Sequence, residues 1–63
     1  MMNKDDAKKI IVDEWRKLPA ADRATQDQAL MFAMGAKDRY KWRASGDPYQ
    51  EAMAWISEHI GKP

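Results

Sequence analysis

TQDQALMFAMGAKDRYKWRASGDPYQ, residues 25 to 50, decides the fold, because it holds the start of two helices and the end of one. It opens on Thr25 with Gln28 three places later. In such a box the hydroxyl and the amide each satisfy a backbone N–H that the first helical turn leaves open. It closes on the turn Ser45-Gly46-Asp47-Pro48. There Asp47 is placed to cap a further helix, Pro48 takes the first helical position, and Gln50 completes a second box. Between the two signals the spacing predicts a helix over 26–42. Gly35 lies inside it at a cost of ~1 kcal/mol against Ala, and marks either a close helix contact or a weak point.

Working outward, Asn3 caps a first helix over 4–18. Asp5 and Asp6 stand in its first turn and Arg16 and Lys17 in its last, matching the helix dipole at both ends. Ala7, Ile10, Ile11, Trp15 and Leu18 recur at helical spacing, and Asp5–Lys9, Lys9–Asp13 and Asp13–Lys17 form i,i+4 pairs on the solvated side. Pro19 ends that helix, and Pro19 to Ala24 has room for one short turn. After Asp47 a third helix runs over 48–60, with Tyr49, Ala52, Met53, Ile56 and Ile60 on its apolar face. Gly61 follows it, with Pro63 just beyond. No strand alternation, internal repeat or low-complexity segment interrupts this pattern. The fold class is therefore all-α: one compact three-helix domain spanning 1–63, with helices at about 4–18, 26–42 and 48–60.

Size limits what holds such a domain together. The chain has 63 residues, no cysteine and one histidine, so disulfides and thiolate metal sites are excluded and a structural zinc site lacks ligands. A core this small supplies only ~3–5 kcal/mol, which leaves efficient helix packing or self-association to provide stability. Three Trp, two Tyr and one Phe are the large groups available for burial. The apolar run Ile10-Ile11-Val12 is too short for a signal peptide, and nothing approaches a membrane span, so the expected location is cytoplasmic.

Catalysis finds no constellation. His59, the one ordinary base near neutral pH, falls in the last turn of the third helix, where the dipole favours its protonated form and a structural role explains it. Ser45 and Ser57 lack a nucleophile context, and the adjacent pairs Asp5-Asp6 and Asp13-Glu14 do not face one another on a helix. The expectation is no enzyme activity, no catalytic residue, no cofactor, no metal and no small-molecule substrate.

Charge is uneven although the net is +1. Residues 23–43 carry five basic groups against two acidic ones, while residues 44–63 carry one against three. DRYKWR, residues 38–43, interleaves cations with Tyr40 and Trp42, the pattern by which rings stack on bases and cations meet phosphates. On a continuous helix, at about 100° per residue, Lys37 and Lys41 share one side and Arg39 and Arg43 nearly the opposite one, so the strip divides. A helix-turn-helix reading fails on its would-be recognition helix, which carries Glu51 and Glu58 and no cation before Lys62. The first helix is amphipathic but balanced in charge, unlike an interfacial membrane helix.

The second helix carries two apolar stripes. Ala29, Phe32, Ala33, Ala36 and Tyr40 form one, and Met31, Met34 and Trp42 lie on the far side. Either this helix is sandwiched between its neighbours or its second stripe meets a partner. The functional reading is a non-catalytic protein–protein interaction module, a small regulator, adaptor or inhibitor of the kind phages and mobile elements carry. It docks onto a protein partner or a second copy of itself through Met31, Met34, Trp42 and Trp55 as anchors, with Arg39, Lys41 and Arg43 as orienting charges. On that reading Trp42→Ala weakens assembly and leaves helicity nearly intact. The alternatives are a small nucleic-acid binder using residues 37–43 and a homo-oligomeric assembly subunit.

Overall fold

The computed structural model describes residues 1–62. It contains α1 (Lys4–Lys17), a short 3₁₀ turn (Ala20–Asp22), α2 (Gln26–Arg39) and α3 (Pro48–Ser57). The Cα radius of gyration of 10.8 Å matches the ~10.6 Å of a compactly folded chain of this length. Pro63, placed beyond the last helix by sequence, lies outside the described residues.

The capping residues act much as their positions predict. Asn3 accepts a hydrogen bond from the Asp6 N–H at 2.8 Å. Thr25 and Gln28 form the complete box, with the Gln28 side chain accepting from the Thr25 N–H at 3.0 Å. The same Gln28 amide donates to the Ala21 carbonyl at 2.7 Å, so one side chain ties the 3₁₀ turn to α2. At α3 the cap is simpler than expected. Asp47 accepts from the Tyr49 N–H at 3.0 Å, and Gln50 does not close a box. Of the three charge pairs expected along α1, Asp13–Lys17 is formed at 2.9 Å, and the neighbouring carboxylate raises the Lys17 pKa.

The middle element is α3, not α2. It packs against both other helices. Ala29, Ala33 and Ala36 of α2 and Ala52 of α3 are fully buried, and these small side chains let the helices approach closely. Around them lie Ile11, Trp15 and Ile56, the largest fully buried groups. Trp15 meets Phe32 edge-on at 5.3 Å between ring centroids and donates its indole N–H to the His59 carbonyl at 3.4 Å. Ile10, expected on the core face of α1, stays at its exposed margin.

Two boundaries differ from the sequence reading. α3 ends at Ser57, and residues 58–61 form turns that bring the chain back over α1 and the α1–α2 connection. Gly61 takes φ 72°, the left-handed conformation natural to glycine, and donates to the Arg23 carbonyl at 2.9 Å. Arg23 in turn donates to the carbonyls of Leu18, at 2.7 Å, and Lys62, which closes that end of the molecule.

The larger correction concerns α2, which ends at Arg39 and not at residue 42. Tyr40 is its C-cap, with extended backbone, and residues 41–43 pair in parallel with Met2. Met2 donates to the Lys41 carbonyl and accepts from the Arg43 N–H, both at 3.1 Å. A helix continued to residue 42 would turn Trp42 to the outer side, close to Met31, leaving a large ring in water. Unwinding brings it inward. Trp42 is 5% exposed and packs on Trp55 at 5.3 Å between centroids. Helix propensity over three residues amounts to only tenths of a kcal/mol each, whereas truncating a buried Trp costs ~3–5 kcal/mol. Burial wins.

Glu51 holds this rearranged segment in place. It accepts from the Trp42 indole N–H at 3.0 Å and from the Ser45 N–H at 2.8 Å, and pairs with Lys4 at 3.3 Å. The Trp42 hydrogen bond, followed by those from Ser45 and Lys4, lowers the Glu51 pKa against the opposing effect of its desolvation.

Two outcomes follow from this core. Trp42→Ala removes a contribution as large as the whole stability of a domain this size, so far-ultraviolet circular dichroism should report loss of helix. A cooperative helical melt close to that of the wild type would contradict the assignment of Trp42 to the core. For Glu51 the folded-state pKa lies below the unfolded one. Its contribution is therefore complete above the ordinary glutamate value of about 4.3 and disappears as pH falls through the lowered folded value. Denaturant titrations should show the stability gap between wild type and Glu51→Gln widest near neutrality and narrowing on acidification below about pH 4.

Candidate functional site, the outer face of α2

The residues expected to form one Met and Trp patch separate into two groups. Trp42 and Trp55 belong to the core, at 5% and 9% exposure, and pack against each other with their rings tilted by 44°. They are not surface anchors. The physical cause is the early end of α2, which rotates Trp42 away from the methionine side, and the central position of α3, which covers Trp55. Met31 and Met34 stay outside, at 74% and 49% exposure.

Leu30 joins them at 38% exposure. The two-stripe reading passes over this residue, although its i,i+4 relation to Met34 and its apolar side chain are the signal for it. At about 100° per residue, Leu30, Met34 and Met31 follow one another across an arc of roughly 100°, centred away from the buried alanines. The face therefore comes from helical geometry alone. Alanine at 29, 33 and 36 turns inward, and α3 lies on that side only. Met31 is the most exposed apolar side chain on the three helices. Its flexible thioether can fill irregular partner surfaces.

Charges bound this face along the helix axis. Asp27 stands exposed in the first turn. Lys37 stands near the last turn and contacts Asp38 at 3.0 Å, which lowers the Asp38 pKa through the hydrogen bond and the attraction of the cation.

The basic residues expected to orient a partner divide in the same way. Arg39 is engaged internally. It reaches Glu14 of α1 at 3.0 Å and lies over the rings of Phe32 and Tyr40, at 5.4 and 5.7 Å from their centroids. Tyr40 is half-buried and donates its hydroxyl to the other Glu14 oxygen. Lys41 and Arg43 are exposed. Because residues 40–43 are extended, alternate side chains take opposite sides: Tyr40 and Trp42 turn inward, and Lys41 and Arg43 outward. Helical spacing thus divides these cations only as far as Arg39, and beyond it strand alternation separates the aromatic from the basic side chains.

Gly35 does not mark a helix–helix contact. A Cβ placed there meets a terminal nitrogen of Arg39 at 2.9 Å, so the glycine leaves room for the guanidinium that crosses over it toward Glu14.

A concavity runs along α1, lined by Asp5, Lys8, Lys9, Val12, Asp13, Arg16 and His59. It is shallow and mixed in charge. Asp13 is already paired with Lys17, and among the described residues no group of three or more His, Cys, Asp or Glu is arranged to hold a metal ion. No helix of the described residues is long and apolar enough to cross a membrane. The uncovered apolar face of α2 is the more distinctive surface.

Compared with protein-family models, with curated proteins and with solved structures, the chain matches none of them.

The accommodation of Arg39 over Gly35 has a measurable consequence. Gly35→Ala gains ~1 kcal/mol of helix propensity, while the displaced Arg39 contact with Glu14 is a partly exposed ion pair worth only tenths of a kcal/mol. Thermal denaturation should show a net gain in stability of under ~1 kcal/mol. A loss would mean that the Arg39–Glu14 contact contributes more than surface pairs usually do.

Proposed function

We propose that this chain is a non-catalytic protein–protein interaction module that docks through the outer face of α2. The observation that carries the reading is the exposure of Met31 and Met34, with Leu30 beside them, on a helix whose opposite stripe already fills the core. A three-helix domain needs one apolar stripe per helix for folding, and a second stripe left 38% to 74% exposed carries a standing hydration cost. Removing that stripe from water is the work of a partner. Lys41, exposed just beyond the helix end and close enough to act on Asp38, supplies positive charge at that end of the surface. Small regulators, adaptors and inhibitors act in this way, by occupying a surface of a larger protein.

A nucleic-acid reading has one observation behind it, the outward projection of Lys41 and Arg43 from the same side of an extended segment. With Trp42 buried, those cations lack an exposed indole to stack on a base, so phosphate attraction alone would have to supply the affinity.

The docking reading is tested by the double substitution Met31→Glu, Met34→Glu. Both positions are exposed, so the helical spectrum should be preserved, with a stability change within about 1 kcal/mol. Affinity capture from the native cell, followed by mass measurement of intact complexes, should recover a protein partner or a second copy with the wild type and lose it with the variant. Recovery of the same complexes by both proteins would remove the α2 face as the docking surface.

A further inference from the structure

The outer face of α2 has a symmetry that names its occupant. We infer that it pairs with the same face of a second copy of this chain, antiparallel, about a two-fold axis that crosses the outer face at the level of residue 32; this rests on the docking reading above and specifies the partner.

Along the exposed side of α2 the residues Asp27, Leu30, Met34 and Lys37 are spaced three, four and three apart. This is the spacing of a helix–helix seam, in which each side chain seats between those of the facing helix. It reads the same in both directions. Reversing one copy sets Leu30 against the partner's Met34 and Asp27 against the partner's Lys37, and does so twice, once on each side of the axis. A closed two-fold contact requires this self-complementarity, because every contact made by one copy is repeated by the other.

The ends of the face agree in charge. Around Asp27 the first turn carries no cation: its neighbours are Thr25, Gln26 and Gln28. Around Lys37 the exposed Lys41 adds a second cation beside Asp38, the carboxylate that Lys37 already touches. Antiparallel pairing brings the acidic end of each copy to the basic end of the other, whereas parallel pairing sets like against like. The helix dipoles follow the same preference. Met31, the most exposed of the three apolar groups, stands one residue from the axis, where it meets its own counterpart.

Area sets the strength. Leu30, Met31 and Met34 with their flanking charges cover far less than the ~800 Å² per partner of a stable specific interface. The dimer is accordingly weak, of the transient class, in exchange with monomer.

The chain has no cysteine, so introduced thiols report the register without background. Leu30→Cys and Met34→Cys are made separately, at exposed positions, and oxidised alone and as an equimolar mixture, with products read by intact mass. The antiparallel seam predicts that the mixed disulfide exceeds either symmetric product several-fold. Dominance of the symmetric products would indicate parallel pairing and overturn the proposal. Sedimentation equilibrium of the cysteine-free chain supplies the second arm. Asp27→Lys and Lys37→Glu should each weaken the dimer by roughly ten-fold, and combining them in one chain should restore it to within about three-fold. Circular dichroism checks that each variant is folded. A dimer that withstands both single reversals overturns the seam. A chain that stays monomeric to millimolar concentration, yet loses a captured protein on Met31→Glu, Met34→Glu, overturns self-pairing and leaves the docking reading standing. A monomer that loses no partner on that substitution overturns both.

Discussion

The packing of Trp42 against Trp55 is the constraint on which the rest of this structure depends. It removes two large indoles from water at once, at 5% and 9% exposure, and the Trp42 N–H finds an acceptor in Glu51. To reach Trp55, the segment after Arg39 must abandon the helix, and an extended segment exposes backbone groups that a helix would have satisfied internally. Met2 supplies the missing partners through its two backbone hydrogen bonds, and Glu51 supplies the acceptor for the Trp42 indole. The N-terminus, the α2–α3 connection and the first turns of α3 are thus ordered together.

Glu51 shows how a charged residue can serve a small core from its edge. A carboxylate inside an apolar interior is costly unless its oxygens are satisfied. Here both oxygens have donors, one from the Trp42 indole and the other from the Ser45 N–H and the Lys4 ammonium. Glu14 does the same on the opposite side, receiving Arg39 on one oxygen and Tyr40 on the other. With these two carboxylates tying α1 to α2 and α3 to the preceding loop, side-chain polar contacts do some of the specifying that a larger protein leaves to hydrophobic volume.

Local signals made the helix starts legible, and tertiary ones hid the end of α2. Asn3, Thr25 with Gln28, and Asp47 with Pro48 act within four residues of themselves, so their chemistry can be read in a linear sequence. Nothing near Trp42 announces the break. Tyr40 to Arg43 contains no proline or glycine, and Gly35, the local anomaly that does stand out, is a clearance for Arg39 and not a boundary. The break is imposed by partners far away in sequence, Met2, Glu51 and Trp55. The same cause explains why Trp55, at the margin of its helix's apolar face, becomes core, and why Leu30, unremarkable beside the two methionines, becomes surface. The methionine side of α2 was visible as a second stripe. Whether a neighbour covers it depends on which helix lies in the middle, and periodicity does not encode that order.

That order accounts for the character of the exposed face. With α3 central, α1 and α2 each present one side to it, meet each other through Trp15–Phe32 and Glu14–Arg39, and turn the remaining side to water. α1 meets water mostly with charged residues, with Ile10 as its one large apolar group at 37% exposure. α2 meets it with Leu30, Met31 and Met34, held between an acidic and a basic end. Folding gains little from an apolar group at Met31, which is 74% exposed, and a polar residue there would raise solubility at no cost to the alanine contact with α3. Separating Trp42 from the methionines also leaves the face smaller and flatter than a Trp-centred patch. Such a surface favours contact between two regular helices over insertion into a deep pocket, because its relief is that of an α-helix seam and it carries no single protruding anchor.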